Sequence, residues 1–172
     1  KYALAAAYHQ EARFDESMQI IKQLLQENPN DVYLKELKAQ FLFESGRVEE
    51  SAKLYAEVLR YKDVDLIKLK YSDVLLALSD ENSVRKAVDT YMTIIAKNPR
   101  NVVALYKIGI AYGKINRLDL SYLYLAESSI LGKRLKNAKV YFGKLEKIIN
   151  KNSKYWPRYE SLRKELAKKI EK

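Results

Sequence analysis

The sequence predicts an all-α fold built from antiparallel helix pairs, with about ten helices. Apolar residues recur at i, i+3, i+4 and i+7 along ten segments, which is the spacing of amphipathic helices. The 172 residues include only 5 Gly and 3 Pro, too few for a β protein with many turns. The third observation is repetition, because residues of similar character return about every 34 positions.

Small residues show the repeat most clearly. On the second helix of each pair they lie at intervals of 34, 36 and 34, at Ser17, Ser51, Ala87 and Ser121. On the first helix the intervals are 34, 34 and 36, at Ala5, Ala39, Asp73 and Gly109. Asp73 breaks the pattern, since a carboxylate at a close-packed position is costly unless paired; either the register is off by one there or the third pair is looser. A helix–turn–helix period of 34 residues is typical of tetratricopeptide arrays, so we predict a tetratricopeptide-repeat superhelix.

Turn residues separate the predicted helices. Asp31 and Asn101 follow Asn-Pro breakers and can cap the next helix, while Gly46 and Asn116 occupy turns that need a left-handed residue. We predict that residues 1–131 form four helix pairs and that residues 132–172 add basic helices that cap the array within the same domain. The helices are predicted at roughly 1–12, 15–27, 31–45, 48–61, 64–78, 82–97, 101–115, 117–131, 135–151 and 154–170.

The residue types exclude a catalytic centre in this chain. His9 is the only histidine and cysteine is absent, so neither an HExxH zinc site nor a thiolate metal site can form. No Gly-rich loop precedes a helix, so a phosphate cradle is missing. There is also no run of 18 apolar residues, the length that a membrane-spanning helix needs. We therefore expect a non-catalytic chain without a metal or cofactor of its own.

The predicted binding surface is the concave face lined by the first helix of each pair. Apolar and aromatic groups outnumber charges there, which favours a groove for a polypeptide segment, with Tyr33, Phe43 and Tyr106 as anchors. An alternative is that some of these positions are core residues assigned to the wrong side. The predicted lining is Tyr33, Glu36, Gln40, Phe43, Lys70, Val74, Tyr106, Ile110 and Lys114, and Tyr2, His9, Ile67, Ala77 and Val103 share the face.

The net charge of +10 is concentrated at the C-terminal end. Residues 1–131 hold 18 Lys and Arg against 18 Asp and Glu, whereas residues 132–172 hold 14 against 4. One interpretation is a solvated, lysine-rich face. The other is a surface for an anionic partner, namely an acidic protein, a lipid surface or nucleic acid. Nucleic acid is the less favoured, because aromatic residues do not alternate regularly with the cations. The candidate basic patch is Lys133, Arg134, Lys136, Lys139 and Lys144.

Several segments together resemble one family. The matching segments are Glu36-Leu37-Lys38-Ala39 with Leu42, Glu44-Ser45-Gly46-Arg47, Asn98-Pro99-Arg100-Asn101, Ala111-Tyr112-Gly113, Ala126-Glu127 to Leu131-Gly132, Ala138, Leu145 and Ser153-Lys154-Tyr155-Trp156, together with the inserted turn at 78–84. They are similar to the C-terminal tetratricopeptide domain of the periplasmic β-barrel-assembly-enhancing zinc metallopeptidases of proteobacteria.

This resemblance implies a metallopeptidase domain before Lys1, and any zinc would be bound there. It also implies a periplasmic scaffold that binds a protein or peptide and acts in outer-membrane protein assembly and quality control, with β-barrel proteins or their assembly machinery as partners. The basic end is a departure from the family. Two alternatives remain: a free-standing tetratricopeptide adaptor, which would be cytoplasmic, and an anion- or nucleic-acid-binding module that uses the basic helices.

Overall fold

The computed structural model describes residues 1–171, which form ten α-helices and no strand. This confirms the all-α prediction. The helices are α1 (Tyr2–Gln10), α2 (Phe14–Glu27), α3 (Val32–Glu44), α4 (Val48–Tyr61), α5 (Asp65–Leu78), α6 (Glu81–Lys97), α7 (Val102–Lys114), α8 (Leu118–Leu131), α9 (Leu135–Leu145) and α10 (Trp156–Ile170).

The helices belong to two compact units. Unit 1 spans Lys1–Leu78 and contains α1 to α5, and unit 2 begins at Ser79 and contains α6 to α10. The side chains that cap helices explain several of the observed helix starts. Asp31 accepts hydrogen bonds from the backbone N–H groups of Tyr33 and Leu34 at 2.9 and 3.0 Å, and Asn101 accepts one from Ala104 at 3.0 Å.

In two helix pairs of unit 1, hydrogen bonds between small residues join the two helices. The Ser17 hydroxyl donates to the carbonyl of Ala5 at 2.7 Å, and the Ser51 hydroxyl donates to the carbonyl of Ala39 at 2.6 Å. All four residues are fully or almost fully buried. Because a larger side chain would separate the backbones that these bonds join, the repeat of small residues has a direct structural cause.

The register of α5 differs from the predicted one. Ser72 is completely buried, whereas Asp73 is only half-buried. The small, close-packed position of this helix is therefore Ser72, one residue before the predicted Asp73. This placement keeps the carboxylate out of the core, where an ionised group carries a large desolvation cost.

Four turns between consecutive helices share one backbone geometry. A left-handed residue is followed by an arginine that begins the next helix, and the arginine N–H donates to the carbonyl five residues earlier at 2.8 to 2.9 Å. This pattern satisfies carbonyls that the end of the preceding helix would leave unpaired. It confirms the predicted turns at Gly46 and Asn116. The four pairs are Ala12-Arg13, Gly46-Arg47, Asn116-Arg117 and Lys133-Arg134.

Unit 2 is built around α8, which is buried along most of its length. On one side Gly109 of α7 lies against it so closely that a Cβ there would be 2.6 Å from Cγ of Leu125. On another side Arg158 of α10 donates through Nε to Glu127 of α8 at 2.8 Å. The basic helices α9 and α10 thus pack against the last predicted helix pair. Helix α9 ends at Leu145, six residues before the predicted end.

Candidate functional site

Three of the four predicted lining residues of α3, namely Tyr33, Glu36 and Gln40, lie on one face of that helix. Glu44, which was not predicted, continues their i, i+3, i+7, i+11 spacing, so the four side chains point in similar directions. Tyr33 is 67% exposed and carries Lys62 Nζ 3.6 Å above its ring centroid. It remains accessible as an aromatic contact, and its one cation neighbour comes from the end of α4.

A hydrogen-bonded network joins this face to the helices on either side of it. From α5, Lys70 Nζ donates to Glu36 Oε1 at 3.0 Å and to Gln40 Oε1 at 3.2 Å. Gln40 Nε2 in turn donates to Glu44 Oε1 at 2.8 Å. Glu44 also pairs with Nε2 of His9 on α1. We call these five residues, drawn from three helices, the polar network.

Aromatic packing and buried groups hold the polar network in place. The His9 ring stacks on Phe41 with 3.7 Å between centroids and an angle of 5° between planes. The side chain is only 10% exposed. Tyr55 is buried on α4, and its pKa is raised by burial and further by the negative charges of Glu36 and Glu44.

Two features of the unit 1 prediction are wrong. Val74 is 1% exposed and Ile67 is 2% exposed, so both are core residues that no ligand can contact. Ile67, Lys70 and Val74 follow i, i+3, i+7 spacing and share one face of α5. The short side chains on this face are buried, whereas Lys70 reaches Glu36 and Gln40 through its long side chain. Phe43 is half-buried, and its role as an anchor stays a prediction. Charged and amide groups, rather than apolar ones, therefore dominate this face of unit 1.

The face of α7 in unit 2 has the opposite character. Val103, Tyr106 and Ile110 are 55%, 40% and 36% exposed, and they follow i, i+3, i+7 spacing. We call them the apolar stripe. Lys114, one turn further on, donates to the Ser79 hydroxyl at 3.2 Å. The guanidinium of Arg134 lies 5.9 Å from the Tyr106 ring centroid. An apolar stripe with one cation beyond its end and another beside its central residue can bury apolar side chains of a partner and attract acidic ones.

The predicted basic patch divides into two structural roles. Lys133 is the left-handed residue of the α8–α9 turn, with φ 57°, and Arg134 begins α9, where its guanidinium donates to the Ser128 hydroxyl at 3.3 Å. Lys136, Lys139 and Lys144 are exposed on the outward side of α9. Sequence reasoning had no signal for the turn role of Lys133, because lysine is not a residue that marks such turns.

The described residues 1–171 contain no cluster of His, Cys, Asp and Glu that could hold a metal ion. Across the same residues, every helix is too short or too polar to traverse a bilayer. What these surfaces offer is hydrogen-bonding, ionic and apolar contact, which is the chemistry of binding.

Several solved structures resemble this chain. MamA from Desulfovibrio magneticus RS-1 covers 98% of this chain and 90% of its own at 16% identity, with a TM-score of 0.68. A tetratricopeptide repeat protein from Parabacteroides merdae ATCC 43184 covers 98% and 70% at 14% identity, with a TM-score of 0.64. PilW, a widely conserved type IV pilus biogenesis factor, covers 98% and 84% at 17% identity, with a TM-score of 0.60.

The chain has a tetratricopeptide-repeat fold. At these identities the likeness extends to the fold alone. No protein-family model and no curated protein matches the sequence.

Proposed function

We propose that this chain is a non-catalytic protein-interaction scaffold that binds a polypeptide segment carrying apolar side chains. The observation that carries the proposal is the apolar stripe on α7. Three large apolar side chains on one exposed helix face form a contiguous surface, and contiguous exposed apolar surfaces mark interaction sites more often than single exposed apolar residues do. Tyr106 is its central residue, and tyrosine is among the residues that contribute most to binding at protein interfaces.

The spacing of the apolar stripe suits a helical or extended partner. Side chains at i, i+3 and i+7 lie about one helical turn apart, so they can receive apolar groups that repeat along an amphipathic helix or on alternate residues of an extended segment. The backbone groups of α7 are already used within the helix, so affinity would come from side-chain burial. Such binding should depend only weakly on ionic strength.

The polar network of unit 1 supplies a second, chemically different surface. Its side chains already hold one another through hydrogen bonds, so they are ordered before any partner arrives. Binding of a partner with complementary charges would therefore cost the side chains of the network less conformational entropy. We propose that this surface contributes selectivity, because a partner that fails to replace these hydrogen bonds would leave charged groups unpaired.

The test compares two exposed tyrosines. Fluorescence anisotropy measures binding of an unfolded outer-membrane β-barrel polypeptide to the wild type, to Tyr106→Ala and to Tyr61→Ala. Tyr61 is 70% exposed on α4, outside the apolar stripe, and serves as the control. Tyr106→Ala should weaken binding by about 1–2 kcal/mol or more, and Tyr61→Ala by much less. Equal effects from the two substitutions would refute the role of the stripe.

We further propose that the chain is the C-terminal domain of a periplasmic zinc metallopeptidase that acts in outer-membrane protein assembly. The support is the family resemblance of segments such as residues 36–47 and 98–101. Any zinc would then belong to a domain encoded before Lys1. The reading frame upstream of Lys1 tests this directly, because an HExxH helix and an export signal are expected there. Their absence would favour a free-standing cytoplasmic adaptor.

A further inference from the structure

The turn between α8 and α9 has the same backbone geometry as the other three shared turns, but it lacks the acidic residue that pairs with their arginine. In three of the four shared turns the arginine pairs with an acid two or three residues later. The distances are 3.0 Å for Arg13–Glu16, 2.7 Å for Arg47–Glu50 and 3.0 Å for Arg117–Asp119. After Arg134 the corresponding positions are Lys136 and Asn137. Lys136 thus places a cation at the position where the turn at Arg117 has an acid.

The outward side of α9 continues this change of charge. Lys136, Val140 and Lys144 are separated by four residues each, and Lys139 lies beside them, so the four share one face. The opposite face, which includes Ala138, Phe142 and Leu145, is buried. Val140 is 55% exposed among the lysines. We call Lys136, Lys139, Val140 and Lys144 the basic stripe.

The lysines of the basic stripe have no acid at three or four residues in either direction, and none forms an ion pair within residues 1–171. Some exposed cations elsewhere do have such partners, as in the pairs Arg85–Glu81 at 2.5 Å and Lys169–Glu165 at 3.4 Å. Like charges on one helix face destabilise the helix. Lys144 Nζ lies 5.5 Å from the ring centroid of Tyr122 on α8, but no acid compensates the charges of Lys136 and Lys139. An anionic surface would stabilise this arrangement.

We propose that the basic stripe docks the chain onto a bilayer surface that contains anionic phospholipid. Lysine is a compact, strongly hydrated charge that attracts a diffuse negative surface, whereas arginine is favoured for bidentate contact with individual phosphates. The exposed Val140 can enter the headgroup region between the lysines. This role is additional to the proposed polypeptide binding and does not depend on it.

The aromatic residues near the basic stripe favour lipid over nucleic acid. Single-stranded nucleic acid is held by bases stacked on exposed aromatic rings. Here Tyr141 stacks on Tyr122 with centroids 6.4 Å apart, and Phe142 packs against Tyr159 at 5.7 Å. Because these rings are occupied by one another, the surface lacks a stacking platform. An exposed valine adds nothing to phosphate binding but does add to insertion into a headgroup layer.

The experiment measures sedimentation of the chain with vesicles of phosphatidylcholine, with or without about 30% phosphatidylglycerol, at about 0.1 M and about 1 M salt. The test variant is Lys136→Gln/Lys139→Gln/Lys144→Gln. The control variant, Lys22→Gln/Lys53→Gln/Arg100→Gln, removes the same charge from exposed positions outside α9. A third variant, Val140→Ser, tests insertion. Circular dichroism verifies that each variant keeps its helices.

The wild type should bind only the anionic vesicles, and binding should fall steeply at high salt. Each lysine near an anionic surface contributes a factor of about five, so the test variant should lose about 100-fold and the control far less. Val140→Ser should lose about threefold with an unchanged salt dependence. The proposal is overturned if anionic vesicles are not bound, or if test and control variants lose binding equally. Binding of an oligonucleotide or polyglutamate without vesicle binding would also overturn it.

Discussion

The left-handed residues of the shared turns allow a test of how much a positive φ costs in stability, separately from any change in packing. Gly46 has φ 81°, and a Cβ added there would meet no atom within 4 Å. Gly46→Ala therefore introduces no clash with another residue. A non-glycine residue in this conformation is destabilised by about 1–2 kcal/mol, while restriction of the unfolded chain returns about 0.4–1 kcal/mol. We expect a net destabilisation of about 1 kcal/mol.

The reverse change is available at the equivalent turn. Ala12 has φ 58° and is exposed, so Ala12→Gly removes a methyl group that packs little while relieving the same backbone cost. It should stabilise the chain by about 1 kcal/mol. Gly143 is the control, because it lies inside α9 and its added Cβ would also meet no atom within 4 Å. Gly143→Ala should stabilise the chain by about 1 kcal/mol, because alanine has the higher helix propensity.

Thermal and urea denaturation followed by circular dichroism measure these three variants. For a chain of this length a change of about 1 kcal/mol moves the melting temperature by about 2–4 °C. Gly46→Ala should lower it, and the other two substitutions should raise it. A neutral Gly46→Ala, or a destabilising Ala12→Gly, would show that the shared turn geometry does not require a left-handed residue.

Four other substitutions test packing, hydrogen bonding and charge. Gly109→Ala should destabilise by about 1–3 kcal/mol, since its Cβ would lie 2.6 Å from Leu125, and a neutral result in denaturation would contradict the close α7–α8 contact. Ser51→Ala should cost about 1 kcal/mol by removing a buried 2.6 Å hydrogen bond. Ser72→Ala should be neutral or stabilising, because its buried hydroxyl has no partner among the described residues; a loss equal to that of Ser51→Ala would refute this. For Asp119, hydrogen bonds from the neighbouring arginine lower its pKa, so its contribution to stability is present above its unfolded pKa and is lost as pH falls through the lowered value. The difference in unfolding free energy between wild type and Asp119→Asn should accordingly shrink on acidification, as pH-dependent denaturation can measure.

The helices were predictable because their periodicity is local information. Breakers and capping residues placed most helix ends within a residue or two, as the Asp31 and Asn101 caps show. The end of α9 was not predictable, since apolar Ile148 and Ile149 continue the helical pattern beyond Leu145. Periodicity alone does not distinguish those residues from one more helical turn.

The binding faces were less predictable, because a face depends on register. On α5 the predicted lining residue Val74 is buried, whereas Lys70, on the same helix face, reaches Glu36 through its long side chain. The polar network was not foreseen, since contacts between His9, Glu44 and Lys70 depend on distances between helices. Whether these surfaces bind a polypeptide stays a prediction.

Comparison of the four shared turns shows which of their features the fold requires. Each keeps the left-handed residue and the arginine N–H bond to the carbonyl five residues earlier, so these are the structural requirements. The acid after the arginine is absent at the α8–α9 turn, and α9 still forms and packs on α8. The pairing charge is therefore dispensable for the turn. The lysines at 136, 139 and 144 are exposed, and the buried residues of α9 are Ala138, Phe142 and Leu145, so the burial of α9 does not require these cations.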